Sequence, residues 1–293
     1  MHVSRPATRV ALRKLLPAPA RATTRFAPAP TGFLHVGHVL NAIYVWGVAR
    51  AIGARVLLRI EDHDRQRSRP EYERALLDDL AWLGFEADET SRQSDRSAVY
   101  ADAIARLKDA GLIYACDCTR RQAGARYPGT CRDRGLADGP DRGLRVRIGD
   151  EDETFDDLLL GPQSQRPAAQ SGDVLLRDRH GLWTYQLAAT VDDYVQGVTH
   201  VIRGDDLLES TGRQLQLARL LGRAGPPLFL HHPLIMKSPT QKVSKSDADT
   251  GVRDLRADGW SAGRVLGYAA ALSGLMPHAR DLSVRDLTDI VIS

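Results

Sequence analysis

The sequence predicts an α/β protein built on a doubly wound parallel sheet. A short apolar stretch, Arg55–Ile60, reads as a buried strand, and the acidic residues Glu61, Asp62 and Asp64 follow it almost directly. Acids at the carboxyl end of a strand are typical of the ligand crevice of such a sheet. Strand-like and helix-like patterns alternate around this strand, which indicates parallel strands joined by helices.

The elements near this strand follow from apolar runs, turns and caps. A Pro-rich turn at residues 27–32 precedes the segment HVGH at 35–38 and a mostly apolar run at 39–51, which predicts a strand, a loop and a buried helix. Two further helices are predicted at Pro70–Leu83, with proline in its first turn, and at residues 97–110, with glycine after it.

The pattern is interrupted from Cys116 to residue 183, where glycine, proline and charged residues predict an insertion. Regular order returns at residues 184–191. An apolar strand at 199–202 then ends in RGDD at 203–206, and a helix follows at 211–221. The insertion therefore splits the sheet domain into two halves.

We divide the 293 residues into five segments. Residues 1–24 hold five basic residues and no acid, and we expect them to be a disordered basic extension. The two halves of the core are residues 25–115 and 184–250, and the insertion covers 116–183. Residues 251–293 are expected to form a short helical cap on the core.

Charge and hydropathy limit the class of protein. The formal net charge of +3 does not mark a general polyanion binder. No stretch approaches the ~18 to 20 apolar residues of a membrane span. We expect a soluble, cytoplasmic protein that acts as a monomer and has no membrane partner.

The HVGH segment is a candidate phosphate site. Gly37 lets the backbone approach a ligand, the helix that follows offers N–H groups at its positive end, and His35 and His38 flank the same turn. A four-residue match is short, so a structural pair of histidines is the alternative.

The second candidate phosphate site is KVSKS at residues 242–246. Only five of the 40 basic residues are lysines, and Lys237, Lys242 and Lys245 lie within nine residues. Lysine is a compact, flexible point charge that suits a moving phosphate, whereas arginine is the default cation of this chain. A solvated basic loop is the alternative.

All three cysteines lie within sixteen residues, as Cys116, Cys118 and Cys131, which favours zinc over disulfides. No histidine lies nearby, so the spacing leaves the fourth ligand open among Asp117, Tyr127, Asp133 and a water molecule. Three buried free thiols are the alternative.

Charge is unevenly distributed in the insertion. Residues 119–147 hold eight arginines against three aspartates, which makes them a candidate patch for RNA phosphates, with a solvated loop as the alternative. Residues 150–157 hold six acids, and we expect them to form a solvated loop.

Several of these motifs together resemble the glutamyl-tRNA synthetase family. Residues 25–32 with HVGH, then 58–62, 201–206 and KVSKS, are similar in order and spacing to its catalytic core. HVGH and KVSKS resemble the paired ATP-binding signatures of class I aminoacyl-tRNA synthetases. The resemblance implies a Rossmann-like ligase that activates L-glutamate with ATP and Mg²⁺.

The resemblance also implies roles for single residues. The catalytic residues would be His35, His38, Lys242 and Lys245. ATP would contact His35, Gly37, His38 and Lys245. The L-glutamate site would consist of Arg25, Ala27, Ala29, Glu61, Tyr185 and Arg203, with Glu61 on the ammonium group and Arg25, Tyr185 and Arg203 around the side-chain carboxylate. Such an arginine site rejects glutamine. Two residues depart from the family pattern, because Ala29 stands where serine is usual and Gln186 where asparagine is common.

Within the family, Cys-x-Cys followed by Tyr-x-x-x-Cys resembles the zinc site of truncated bacterial paralogues that attach glutamate to queuosine in tRNA(Asp). This likeness implies one Zn²⁺ on Cys116, Cys118, Tyr127 and Cys131. Only 47 residues follow Ser246, fewer than the ~100 of a separate domain, so we expect no anticodon-binding module. The implied partners are L-glutamate, ATP and queuosine-containing tRNA(Asp). A shortened glutamyl-tRNA synthetase acting on tRNA(Glu) and an inactive RNA- or nucleotide-binding relative are the alternatives.

Overall fold

A computed structural model describes residues 2–5, 7–15, 20–238, 241–242 and 251–293. The strands are β1 (His2–Val3), β2 (Thr23–Phe26), β3 (Arg55–Ile60), β4 (Glu89–Arg92), β5 (Ile113–Cys116), β6 (Gly143–Val146), β7 (Glu153–Asp157), β8 (Gly161–Gln165), β9 (Val174–Arg177), β10 (His200–Gly204), β11 (Leu228–His232), β12 (Ile235–Ser238) and β13 (Gln241–Lys242). The helices are α1 (Val36–Ile52), α2 (Pro70–Leu83), α3 (Ser97–Asp109), α4 (Arg120–Ala123), α5 (Pro167–Gln170), α6 (Tyr185–Val195), α7 (Thr211–Leu220), α8 (Val252–Ala257), α9 (Ala262–Ser273) and α10 (Leu287–Val291).

A seven-stranded sheet in the order β4-β3-β2-β10-β11-β7-β8 forms the centre of the protein. All neighbouring pairs from β4 to β7 are parallel, and only β8 runs antiparallel, at one edge. The predicted parallel α/β sheet is therefore confirmed. The chain moves from β2 outward to β3 on one side and from β10 outward to β11 on the other. The order of strands thus reverses between β2 and β10, where such sheets bind ligands.

Helix α1 is the centre of the largest hydrophobic core and is buried on nearly all sides. It packs against β2 and β10 and, on its other side, against α9 and α10. Gly47 allows this approach, since a Cβ there would lie 2.5 Å from Cγ2 of Val291 and 2.9 Å from the carbonyl oxygen of Leu287. The packing holds α1, and with it the HVGH turn, rigidly against the sheet.

The insertion does not form one separate unit. Strands β5, β6 and β9 make a small antiparallel sheet, whereas β7 and β8 return to the edge of the central sheet. The acidic run that we expected to be a solvated loop is largely strand β7, in which alternate residues are buried. Buried Glu153 pairs with Arg219 at 2.6 Å, and buried Asp157 with His231. The expectation was wrong because the partners of these acids, Arg219 and His231, are distant in sequence.

The first 24 residues also differ from expectation where the structure describes them. Strand β1 pairs antiparallel with β12. The amide of Val10 donates to the Val291 carbonyl at 2.6 Å, and Ser293 donates back to Val10 at 3.0 Å. Val10 and Leu15 are buried. This part of the segment is ordered because it forms hydrogen bonds with β12 and the C-terminal residues, partners that its composition cannot reveal. Among the described residues, no helix is long and apolar enough to cross a bilayer.

Candidate active site and metal centre

The candidate substrate residues lie at the carboxyl ends of the central strands. Arg25 is next to last in β2, Glu61 follows β3, and Arg203 is next to last in β10. These strands are neighbours in the sheet, so their ends meet at one edge. All three side chains are buried, with exposures of 4%, 7% and 3%. The structure therefore brings together residues that are almost 180 positions apart in sequence.

The two histidines of HVGH cap the N-terminus of α1. Nδ1 of His35 accepts the Gly37 amide at 3.1 Å, and Nδ1 of His38 accepts the His35 amide at 3.1 Å. A ring nitrogen that accepts an N–H carries no proton, so neutral imidazoles here hold their proton on Nε2. The two rings lie 3.9 Å apart. They thus present N–H donors near the positive end of a buried helix, as an anion site requires.

Gly37 has a second role beside backbone access. A Cβ at this position would lie 2.9 Å from Cε1 of His35, closer than side chains tolerate. The glycine therefore makes room for the His35 ring that closes over it. Sequence reasoning identified the glycine but not this contact.

The second signature is only partly described. Residues 243–250, which include Lys245, lie outside the described residues, and of Lys242 only the backbone is described, in β13. The next described residue, Gly251, forms an antiparallel β-bridge with His35. The amide of Val252 donates to the Leu34 carbonyl at 2.9 Å. The described residues that follow the second signature, from Gly251 on, therefore lie directly beside the first signature.

A buried ion cluster surrounds Arg25 and Glu61. Oδ1 of Asp193 accepts from Nη1 of Arg59 at 2.7 Å and from Nε of Arg25 at 3.1 Å. Arg59 also donates to Oε1 of Glu61 at 3.1 Å. Burial alone would raise the pKa of Asp193, but Arg25 and Arg59 outweigh it and lower that pKa to about 2. Burial raises the pKa of Glu61 despite Arg59.

Arg203 differs from these arginines because its hydrogen-bond partners are neutral. Its Nε lies 3.0 Å from Nε2 of His231, its Nη1 donates to Oε1 of Gln214 at 2.7 Å, and its Nη2 donates to Oγ1 of Thr211 at 2.8 Å. Within the described part of the chain it forms no salt bridge, and Tyr185 is in contact with it. Burial lowers its pKa. A buried cation of this kind is suited to hold an anionic ligand.

The remaining predicted substrate residues lie nearby with smaller roles. Ala27 and Ala29 are half-buried in the loop after β2, and the Pro28 carbonyl between them accepts the Glu61 amide at 3.0 Å. Gln186, one of the two departures from the family pattern, accepts from Gln214 at 3.1 Å. Gln186 thus supports Gln214, which in turn holds Arg203.

The three cysteines form a candidate metal centre after β5. Their sulfur atoms all lie within 4.8 Å of one another. The Tyr127 hydroxyl lies 3.6 Å from Sγ of Cys116 and accepts the Cys131 amide at 2.8 Å. Burial raises the pKa of the Cys118 thiol to about 12, so a metal must displace its proton on binding. The donor set fits a metal ion that prefers thiolates.

The surroundings of Tyr127, Asp117 and Asp133 distinguish these three candidates for the fourth metal ligand. Tyr127 is buried beside the sulfurs, and the Arg145 guanidinium lies 3.7 Å above its ring. Oδ1 of Asp117 is 3.2 Å from Sγ of Cys131, but it also pairs with Arg134 at 2.8 Å. Asp133 is 85% exposed and pairs with Arg147. Tyr127 is therefore the candidate that the surrounding packing favours.

Most arginines of the patch in the insertion are engaged in hydrogen bonds within the protein. Six of its arginines donate hydrogen bonds within the protein, namely Arg126, Arg132, Arg134, Arg142, Arg145 and Arg147. Arg120 and Arg121, on α4, are exposed, and Arg126 and Arg134 are exposed as well despite their hydrogen bonds. The surface available to RNA phosphates is therefore smaller than the sequence suggested.

Sequence reasoning did not identify four buried residues of the site: Asp157, Asp192, Asp193 and His231. Asp192 and Asp193 form an acidic pair within the otherwise mostly apolar helix α6, and that pair was the available signal. His231 is next to last in an apolar strand, as Arg25 and Arg203 are in theirs. Asp157 gave no signal, because it lies within the acidic run.

The parallel sheet, the capped helix of the first signature and the buried arginine sites define a Rossmann-like α/β enzyme. The family model described as the catalytic domain of class I tRNA synthetases (E and Q) matches residues 21–127 and 129–280. The chain belongs to this family, and the expectation of a synthetase-type ligase is confirmed.

Similar proteins agree with this membership. The chain is 40% identical to the Glutamyl-Q tRNA(Asp) synthetase of Symbiobacterium thermophilum, covering 91% of each chain. It is 47% identical to the protein of the same name from Ectopseudomonas mendocina, covering 76% of each chain. The solved structure of a glutamate tRNA ligase from Elizabethkingia meningosepticum superposes with a TM-score of 0.77 at 24% identity, covering 92% of this chain and 64% of that one. This last likeness concerns the fold.

Proposed function

We propose that this protein activates L-glutamate with ATP and transfers it to queuosine in the anticodon of tRNA(Asp). The observation that carries the glutamate site is buried Arg203, whose partners are neutral and which lies beside Tyr185 at the edge of the sheet. The acceptor is supported by the relatives at 40 and 47% identity, which are glutamyl-Q tRNA(Asp) synthetases.

In the activation step, the α-carboxylate of glutamate attacks the α-phosphate of ATP and pyrophosphate leaves. The protein contributes position and charge rather than a covalent intermediate. The Nε2–H groups of His35 and His38 would donate to phosphate oxygens, and the Mg²⁺ that accompanies ATP would share that charge. Lys245, assisted by Lys242, would follow the negative charge that builds on the leaving pyrophosphate.

Glutamate would lie with its two ends on opposite sides of the cluster. Glu61 would hold the α-ammonium group, and Arg203 with Arg25 and Tyr185 would hold the side-chain carboxylate. Glutamine is neutral at that end and would leave the Arg203 charge buried without an anion, so it should be rejected. Ala29 has no hydroxyl where serine is usual in the family. The site therefore has one hydrogen bond fewer, but its charges are unchanged.

The metal centre would have a structural role. Zn²⁺ on Cys116, Cys118, Cys131 and Tyr127 would fix the loop between β5 and β6, so that its exposed arginines have a defined position. We further propose that the protein works as a monomer in the cytoplasm, where tRNA and ATP are both present.

The proposal is tested with purified protein in two assays. Glutamate-dependent exchange of pyrophosphate into ATP should occur, and glutamine and aspartate should give less than about 1% of it. Labelled glutamate should then be transferred to queuosine-containing tRNA(Asp) but not to unmodified tRNA(Asp). Transfer to the 3′ end of tRNA(Glu) instead would identify a shortened glutamyl-tRNA synthetase, and no exchange with any amino acid would identify an inactive relative.

A further inference from the structure

A buried chain of hydrogen bonds connects Asp157, on β7, with Arg203, on β10, through His231, on β11. Oδ2 of Asp157 lies 2.7 Å from Nδ1 of His231 and accepts the His231 amide at 3.0 Å. On the other side of the ring, Nε2 lies 3.0 Å from Nε of Arg203. Asp157 and His231 are 2% and 0% exposed. Neither residue belongs to the motifs that predicted the site.

The arrangement determines which nitrogen of His231 carries the proton. The other oxygen of Asp157 accepts the amides of Leu159 and Leu160 at 3.0 and 2.9 Å. Both oxygens of Asp157 thus accept backbone amides, and a carboxylate only accepts hydrogen bonds. Nδ1 must donate to it, which leaves the lone pair on Nε2 to accept from Arg203.

A neutral acceptor suits this position better than a carboxylate. An acid beside Arg203 would neutralise its charge and compete with an anionic substrate, whereas a neutral imidazole orients Nε and leaves the charge available. Burial lowers the pKa of His231, although Asp157 opposes this. The protonated ring would place two donors, Nε2–H and Nε–H, against each other. Together with Gln214 and Thr211, the imidazole fixes every nitrogen of the guanidinium.

We propose that His231 and Asp157 are positioning residues that aim Arg203 at the side-chain carboxylate of the substrate. Asp157 fixes the tautomer of His231, and His231 fixes the plane of the Arg203 guanidinium. The inference rests on the proposed glutamate site. It assigns to strands β7 and β11 a part in amino-acid selectivity that their sequences do not reveal.

Two substitutions of His231 separate this role from simple packing. In His231→Asn the amide occupies the place of Nδ1, so contact with Asp157 is kept and the acceptor for Arg203 is lost. In His231→Gln the side-chain oxygen reaches the place of Nε2 and can accept from Arg203. His200→Gln is the matched control, since His200 is a buried histidine on the neighbouring strand with no hydrogen bond at Nε2 in the described part of the chain.

The measurement is amino-acid-dependent ATP–pyrophosphate exchange. We expect His231→Asn to raise KM for glutamate about tenfold, as for loss of one hydrogen bond to a charged group, with KM for ATP within about twofold of the parent. His231→Gln should restore most of the loss, and His200→Gln should leave KM for glutamate unchanged. Equal effects of the two His231 variants, or parallel changes in both KM values, would overturn the inference while the parent remains active.

NMR spectroscopy tests the tautomer of His231 independently of enzyme activity. In protein labelled with ¹⁵N-histidine, the ring signals that disappear in His231→Asn should show the proton on Nδ1 at pH 7. A proton on Nε2 would overturn the inference. A parent protein without glutamate-dependent exchange would overturn the proposed function and, with it, the role in substrate selection, so the two failures are distinguishable.

Discussion

Asp193 gives the sharpest test of how the buried cluster is held together. One of its oxygens accepts from both Arg25 and Arg59, and both arginines are buried. Asp193→Asn keeps the shape of the side chain and removes the charge. Arg59 would retain its ion pair with Glu61 at 3.1 Å, whereas Arg25 would lose its described salt bridge and keep only neutral acceptors, among them the Ile202 carbonyl at 3.0 Å.

The size of the effect follows from the pKa of Asp193. That pKa falls from 3.8 to about 2 on folding, which corresponds to about 2.5 kcal/mol of stability at pH 7. Removing one partner of a buried ion pair typically costs about 3–5 kcal/mol. We therefore expect Asp193→Asn to lower the free energy of unfolding by about 3 kcal/mol, measured by urea denaturation at pH 7.

Asp138→Asn is the matched control. Asp138 also joins two cations, Lys108 at 2.7 Å and Arg177 at 2.6 Å, but about a third of its side chain is exposed. Its loss should cost less than about 1 kcal/mol, because water screens exposed pairs. Equal costs for the two variants would show that burial does not strengthen the Asp193 pairs.

The contribution of Asp193 to the free energy of unfolding depends on pH in a definite direction. Because folding lowers the pKa of Asp193, its stabilisation is fully present above the unfolded pKa of 3.8 and is lost as pH falls through about 2. The difference in stability between the parent and Asp193→Asn should therefore narrow by about 1 kcal/mol between pH 7 and pH 3. A constant or widening difference would contradict the assignment of the lowered pKa to Asp193.

Three further predictions concern the other parts of the site. Cys118→Ser should lose the metal, measured by elemental analysis as a fall from one Zn per chain, while most of the parallel sheet stays folded; a parent protein that is active without metal would contradict the zinc assignment. Lys245→Ala should slow ATP–pyrophosphate exchange about a hundredfold, which corresponds to ~3 kcal/mol of transition-state stabilisation. An unchanged rate would favour the alternative that this lysine belongs to a solvated loop. Gly37→Ala should raise KM for ATP about tenfold, because its Cβ would displace the His35 ring, which lies 2.9 Å away; an unaltered KM would remove His35 from the phosphate site.

The sequence predicted those parts of the fold that local patterns encode. Strand β3 and helix α2 were predicted with the bounds that they have in the structure, because an apolar strand run and a helix with proline at its start and glycine after its end are local signals. Strand β7 was missed because its acids are compensated by Arg219 and His231, more than 60 residues away. The same reason explains the N-terminal segment, whose order depends on β12 and on the last residues of the chain.

The candidate site could be predicted as a set of residues but not as a network. Arg25, Glu61 and Arg203 were predicted from their place in motifs that resemble the synthetase family, and the structure places all three at strand ends. Asp193 was not, because a carboxylate in a helix reads as a solvated residue until Arg25 and Arg59 are seen to surround it. The orientation of a side chain depends on partners from other strands and helices, which single-sequence patterns do not contain.

The distribution of charge in this network is the physical basis of the proposed selectivity for glutamate. The acids Glu61, Asp192 and Asp193 all form ion pairs with Arg59, and Asp193 also pairs with Arg25. Arg203 lies beyond them, held by neutral groups, and has no salt bridge in the part of the chain that the structure describes. The site therefore has carboxylates on one side and, on the other, a buried cation that forms no salt bridge with the described residues. A ligand that bears an ammonium group at one end and a carboxylate at the other complements both sides. An amide at the second end leaves the cation desolvated and unpaired, so the discrimination comes from the penalty on the wrong ligand as much as from attraction to the right one.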